Sequence, residues 1–354
     1  MSLLDKIKNN STIKNSAILS ISKFFTQKDM IPTSIPMINV ALSGKLNGGF
    51  TPGITMFAGP SKHFKTAFSL LMAKSYLEKY PDAVIIFYDS EFGTPQSYFN
   101  TFDIDTNRVL HTPLTNIEEL KFDIMKQLEG IERNERVMII IDSIGNLASK
   151  KEVEDALDGK SVADMSRAKQ VKSLFRMVTP HLNLKDIPMV VVNHTYKEIG
   201  MFPKDIVGGG TGSYYSADNI FIIGRQQEKE GTEIVGYNFI INVEKSRNVR
   251  EKSKIPVCVL FEGGISKWSG LLENALESGH VIKPTNGWYS KVDKNTGEIG
   301  TKKRLSDTMS EEFWSDILLK EDFNEFVRKK YEIAYGNIMG DIMGENDVLE
   351  SEKA

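Results

Sequence analysis

The 354-residue chain has a single cysteine, Cys258, so no disulfide can form within it, which fits a reducing compartment. Lying inside "IPVCVLF", that cysteine reads as a small buried apolar residue rather than a reactive thiol. No apolar run approaches the roughly 20 residues of a membrane span. The opening "MSLLDKIKNN" carries no signal-peptide core. A cytosolic location with no membrane partner is the expectation. Strong charge of one sign is missing too: 44 Lys and Arg face 47 Asp and Glu, a net charge of −3. That excludes a nucleic-acid binder working through its overall field; any such contact would fall to local loops.

The most telling gap is one glycine. Residues 55–66 read "TMFAGPSKHFKT". A phosphate-binding loop runs Gly, four residues, Gly, Lys, then Ser or Thr, after a strand and before a helix. Gly59, Lys65 and Thr66 fit, but Phe64 stands in place of the second glycine. If its backbone takes φ above zero, a non-glycine residue costs about 1–3 kcal/mol. A functional site can carry that strain, and the backbone N–H still points where the loop directs it. In this reading Gly59, Pro60, Ser61, Lys62, His63 and Phe64 form the ATP-binding loop, whose orphan N–H groups and helix dipole cradle phosphate. Lys65 supplies a cation at the β- and γ-phosphates, and Thr66 a hydroxyl for Mg²⁺.

Around this loop the texture is that of an α/β protein. "TMFA", "VIIFY" (84–88), "VMIII" (137–141) and "MVVV" (189–192) are short continuous apolar runs, the pattern of strands buried on both faces. Helical stretches separate them. Residues 65–79 space Ala67, Leu70, Leu71 and Leu77 helically, and residues 116–133 put Ile117, Leu120, Ile124, Leu128 and Ile131 on one face. Thr115 and Glu118 have the spacing of a capping box. The alternation predicts a mostly parallel sheet flanked by helices. After Phe221, "NIFIIG", "YNFIINVEK" and "IPVCVLF" follow closely and predict antiparallel strands at the sheet edge. Residues 1–30 form an arm too small for its own core, residues 31–268 the ATPase core, and residues 269–354 a small C-terminal module ending in the acidic "GDIMGENDVLESEKA".

Three strand ends add chemistry. "VMIIIDS" ends in Asp142, a carboxylate suited to holding Mg²⁺. "VIIFYDSE" delivers Glu91, where a base could activate water. "MVVVNHT" delivers Asn193 and His194, polar groups able to sense a γ-phosphate. Ligands of open α/β sheets bind at the carboxyl ends of strands. Each carboxylate alone could be a cap or a solvated turn; four strands delivering polar groups at one end point to a nucleotide site.

The stretches "SIPMINVALSGKLNGGFTPGITMFAGP", "FYDSE", "IIIDSIGNLASK", "VVVNH" and "SGLLENALESGHVIKPTNGWYS", in that order, resemble RecA-type strand-exchange recombinases. The chain is most similar to the members from tailed bacteriophages, which share "GPSK-x-FK". The resemblance implies that Glu91 activates the attacking water and that Tyr98 stacks on adenine. It implies that His194, where bacterial RecA has glutamine, senses the γ-phosphate. Lys245 and Arg247 in "VEKSRNVREKSK" (243–254) match a pair that reaches a neighbouring subunit's phosphates. Read from composition alone they would be exposed cations of a hairpin.

DNA contact would fall to two loops. The first spans residues 148–170 with Arg167 its best-matched cation; Lys169, Lys172 and Arg176 follow at helical spacing. The second spans residues 197–216, with Met201 and Phe202 able to wedge between bases and Gly208, Gly209 and Gly210 able to approach phosphate closely. The implied function is a DNA-dependent ATPase using ATP and Mg²⁺. It would polymerise into helical filaments on single-stranded DNA, pair with duplex DNA and exchange strands in the cytoplasm of an infected bacterial host. A recombination mediator and a single-stranded DNA-binding protein are the expected partners. A ring-forming helicase and an ATP-clamped DNA-binding protein are the alternatives; the first usually carries a larger domain ahead of its core.

Overall fold

The computed structural model describes residues 2–13, 15–22, 29–159, 166–198, 200 and 204–333. Helix α1 (Leu3–Asn10) opens the chain with a capping box between Ser2 and Asp5. Leu3, Leu4 and Ile7 are exposed and the helix buries nothing in its own protomer. Helix α2 (Pro36–Ser43) starts on Pro36, whose fixed φ suits a first turn, and stops at Gly44 in the left-handed region.

A regular alternation follows: β1 (Gly53–Ala58), α3 (Lys65–Lys79), β2 (Val84–Asp89), α4 (Gln96–Asn100), β3 (Val109–Pro113), α5 (Ile117–Gly130), β4 (Val137–Asp142), α6 (Lys150–Leu157), α7 (Ser166–Lys185) and β5 (Pro188–Asn193). After a small hairpin, β6 (Thr195–Lys197) with β7 (Asp205–Val207), come α8 (Thr211–Ser216), β8 (Asn219–Glu230), β9 (Glu233–Lys245), β10 (Lys254–Leu260) and β11 (Gly264–Ile265). Nine of these strands form one sheet in the order β11-β10-β9-β8-β1-β5-β4-β2-β3. From β8 to β3 neighbours run parallel, and β9, β10 and β11 add on antiparallel. The result is the mostly parallel sheet flanked by helices that the apolar runs predict.

Strands β1, β4 and β5 are buried along their whole length, because helices cover both faces. The period of two sorts side chains between two cores: Ile54 and Met56 of β1 point to one, Phe57 to the other. The core that holds Phe57 continues into the C-terminal module, made of α9 (Leu271–Glu277), a three-stranded sheet of β12 (Val281–Thr285), β13 (Trp288–Lys291) and β14 (Lys303–Arg304), α10 (Glu311–Leu319) and α11 (Glu321–Tyr331). Trp314, Phe323 and Val327 carry it there.

One cap differs from expectation. The N-cap of α5 is Asn116, not Thr115: Asn116 Oδ1 accepts from Glu119 N at 3.0 Å, and the Glu119 carboxylate reaches back to Thr115 N at 2.9 Å. Glu118 instead accepts from Lys150 N. Asn116 takes the extended backbone of a cap, so the cap falls one residue further along the chain, with the Glu119 carboxylate closing on the residue before it. Among the described residues no helix is long and apolar enough to cross a membrane.

Candidate active site

The loop at residues 59–66 joins β1 to α3. Phe64 is the N-cap of α3 with φ 62° and ψ 16°, so the left-handed backbone that the glycine pattern demands is adopted by a phenylalanine. Its strain is offset by packing: the ring stacks on Phe239 (4.8 Å, 16°) and meets Phe68 edge-on at 5.6 Å, each such pair adding about 0.5–1.5 kcal/mol. Lys62 is also left-handed, at φ 62°. Its carbonyl accepts from Arg225 Nη1, while His63 Nδ1 lies 2.9 Å from Ser61 O.

Lys65 is 6% exposed and its ammonium donates to Pro60 O at 2.7 Å, so the cation spans the mouth of the loop. Burial, opposed by Glu91 and Asp142, lowers its pKa. Thr66 Oγ1 donates to Asp142 Oδ2 at 2.6 Å. Asp142 Oδ1 is buried with no hydrogen-bond partner. Burial above all, despite the Thr66 hydroxyl, pushes the Asp142 carboxyl up to about 6. A hydroxyl beside a buried carboxylate with an orphaned oxygen is a donor set that fits Mg²⁺ and its water.

Glu91 follows β2, held in place from behind. Asp89 Oδ1 accepts from Glu91 N at 3.0 Å and Phe92 N at 2.8 Å. Its other oxygen, Oδ2, lies 3.1 Å from His111 Nε2 on β3. In front, Glu91 Oε1 accepts from Ser143 Oγ at 2.5 Å and from His194 Nε2 at 2.8 Å, and those two atoms lie 3.3 Å apart. The hydrogen bond from His194, and less so that from Ser143, hold the Glu91 carboxyl down at about 2 against the effect of burial. Ser143 is a member of the site that sequence reasoning passed over; its only signal was that it follows Asp142.

Asn193 is 1% exposed and does not face the site as a sensor would. Its side chain accepts from His194 N at 2.8 Å and donates to Gly208 O at 2.8 Å, while Gly208 N donates to His194 O at 2.9 Å. Hydrogen bonds thus tie His194 directly to the glycine-bearing loop. Gly209 and Gly210 have φ 89° and 73°. Met201 and Phe202 lie outside the described residues, as does the acidic tail.

Arg167, Lys245 and Arg247 are engaged within the protomer, while Lys169, Lys172 and Arg176 are exposed on α7. Arg167 donates to the carbonyls of Ile144, Gly145 and Leu147. Gly145 abuts His194: a Cβ there would fall 2.7 Å from His194 Cδ2. Lys245 Nζ donates to the carbonyls of Tyr214 (2.7 Å) and Ala217 (2.8 Å) at the end of α8. Arg247 Nε pairs with Asp218 Oδ1 at 2.5 Å, and Asp218 Oδ2 accepts from Ile54 N in β1. Helix α8 lies so close to α7 that a Cβ on Gly212 would sit 2.6 Å from Lys172 Cα.

Tyr98, on α4, lies at a cavity of about 500 Å³ beside the loop, with Phe64, Phe102, Val259, Gly264 and Ile265 among its walls. Burial raises the Tyr98 pKa. The walls from residues 259–265 are a second element that sequence reasoning missed.

Residues 4–266 match the family model for the RecA N-terminal domain, and residues 268–327 match that for the C-terminal domain of the bacteriophage T4 recombination and repair protein. The recombination and repair protein of Enterobacteria phage T4 is 48% identical over 97% of this chain and 87% of its own length. Protein RecA of Bacteroides thetaiotaomicron is 26% identical over 77% of this chain and 80% of its own. Protein RecA of Streptomyces rimosus is 25% identical over 76% and 70%.

Proposed function

The chain belongs to the RecA family and has the function of a RecA-like recombinase, and from that premise we propose that it couples ATP hydrolysis at residues 59–66 to its grip on single-stranded DNA. The likeness to a recombination and repair protein runs over 97% of the chain, which removes the ring-helicase alternative. DNA binding and filament formation come with the family. The finer reading is a DNA-dependent ATPase that uses ATP and Mg²⁺, in three parts: an arm (1–30), a core (31–268) and a module (269–354). It would work in the cytoplasm of an infected bacterial host, with a mediator and a single-stranded DNA-binding protein as partners.

The observation that supports this best is the convergence of Lys65, Thr66, Asp142, Glu91 and His194 at the carboxyl ends of four strands. Lys65 and the backbone of the loop hold the β- and γ-phosphates. Thr66 and Asp142 hold Mg²⁺, which when bound neutralises charge on the transferred phosphoryl group. Glu91 accepts the proton of the attacking water. With its carboxyl at about 2, while His194 donates to it, Glu91 is a weak base. A γ-phosphate oxygen competing for the His194 proton releases it. The same movement pulls on Gly208 through Asn193 and the backbone of residue 194, which carries the nucleotide signal to the DNA loop. Lys245 and Arg247 leave their own α8 and Asp218 to act on a neighbour's phosphates.

Electron microscopy with single-stranded DNA and a slowly hydrolysed ATP analogue tests the reading. Helical filaments with the analogue and none without nucleotide are expected; DNA affinity indifferent to ATP would count against it. The tethering of Glu91 also favours a second reading, ATP as a clamp with little turnover, which the Glu91→Gln variant decides.

A further inference from the structure

Phe64 contributes more than a tolerated departure from a motif. Its backbone belongs to the phosphate loop at the start of α3. Its ring forms part of the wall of the 500 Å³ cavity that also holds Tyr98. A ligand with its phosphates on the loop and its body in the cavity therefore passes over Phe64.

Glycine at this position would leave the space between the cavity and Phe239 empty. The present ring fills it in a row: Phe64 stacks on Phe239 at 4.8 Å, Phe239 lies 6.1 Å from Tyr237, and Tyr237 lies 5.7 Å from Phe261. Arg225 closes the row by lying 4.8 Å over Tyr237 while donating to Lys62 O in the loop. The aromatic row thus fixes the inner wall of the cavity and the outer turn of the loop together. The other walls combine apolar side chains, among them Phe102, Val259 and Ile265, with a few polar ones, Ser34, Lys74, Thr101 and Lys267. A cavity of this size and lining takes a flat, weakly polar group such as a nucleobase.

We propose that Phe64 is a specificity-determining residue for the nucleobase, and that the ring replacing glycine sets how strongly this protein prefers a base-bearing triphosphate to the bare triphosphate chain. The inference rests on residues 59–66 being the phosphate site. Its own claim is that Phe64 acts on the base and not on the phosphates.

The test compares ATP with inorganic tripolyphosphate, each with Mg²⁺, by calorimetric titration of the full chain. Phe64→Gly should weaken ATP binding by roughly tenfold, the loss expected when an aromatic neighbour of a base is removed. Tripolyphosphate binding should change by less than about twofold, since glycine satisfies the left-handed backbone without strain. Phe64→Leu, which keeps apolar volume and loses the ring, should weaken ATP binding by about threefold and carries the comparison if the glycine variant does not fold. Equal losses for the two ligands, or no loss for ATP, would overturn the proposal while leaving the phosphate site intact. Failure of tripolyphosphate to compete with ATP on the unaltered protein would overturn the phosphate-site reading and this inference with it.

Discussion

His194 and Glu91 meet at 2.8 Å, Nε2 to Oε1, with the Ser143 hydroxyl on the same oxygen. If His194 senses the γ-phosphate and Glu91 is the base, as proposed, the sensor is also the restraint on the base. Release of one is release of the other.

Removing the base should separate binding from turnover. Glu91→Gln is expected to lower DNA-stimulated phosphate release by about 10²–10⁴-fold, with affinity for a slowly hydrolysed ATP analogue within a few-fold of the unaltered protein. Phosphate-release assays beside nucleotide titrations read this directly. An unchanged rate would leave Glu91 idle and favour the clamp.

Removing the restraint should appear in a pH series. With Glu91 held at about 2 instead of its ordinary 4.5, the contact with His194 contributes stability above pH 4.5 that is lost as pH falls towards 2. His194→Ala lacks that contribution, so its urea midpoint should fall less steeply than that of the unaltered protein through the same window. The carboxyl resonance of residue 91 should titrate nearer its ordinary range. Parallel stability curves would show that the contact does not form in solution.

Asp142 gives the opposite sign. Its carboxyl is raised from 3.8 to about 6, chiefly by burial, so the folded protein holds a proton there that the unfolded chain has lost. Stability then declines as pH rises through that window. Binding Mg²⁺ requires the charged form and expels the proton. Affinity for Mg²⁺–nucleotide should climb as pH rises through about 6 and then level off. Calorimetry in buffers of different ionisation heats should detect proton release near that pH. Asp142→Asn should remove both the release and the slope.

Lys245 and Arg247 should act on the neighbour. Lys245→Ala loses its bonds to the α8 carbonyls, a stability cost of about 0.3–1 kcal/mol for a cation at a helix C-terminus, and should still bind nucleotide as a protomer. DNA-stimulated turnover should collapse. In mixtures with unaltered protein, activity should drop more than in proportion to the fraction of variant, because each variant protomer disables the site next door. A strictly proportional fall would place the pair's action within its own subunit.

The central sheet was readable because strands covered on both faces must be continuously apolar: "VIIFY", "VMIII" and "MVVV" fall on β2, β4 and β5. The place of residues 59–66 between β1 and α3 was readable despite Phe64, and Thr66 and Asp142, far apart in sequence, meet at the expected end of the sheet. The expected cap was off by one residue because Thr115 and Glu118 have the spacing of a capping box, whereas Asn116 caps the helix and Glu119 turns back to Thr115. Ser143 had no pattern of its own. The cavity at Tyr98 takes walls from α4 and from residues 259–265, stretches far apart in sequence that only the folded chain brings together. The hold of α8 on Lys245 is likewise a tertiary contact between residues about 30 positions apart.

Nothing larger than hydrogen fits between Gly212 and Lys172, so the short helix beyond the glycine loop presses backbone to backbone against its longer neighbour. At the start of that longer neighbour, little more than a turn before the contact, Arg167 is fastened to the turn against which the His194 ring lies. Should the loop before the short helix grip a strand as proposed, that pull would reach Glu91 and His194 by a second road, through Arg167, beside the one through Asn193.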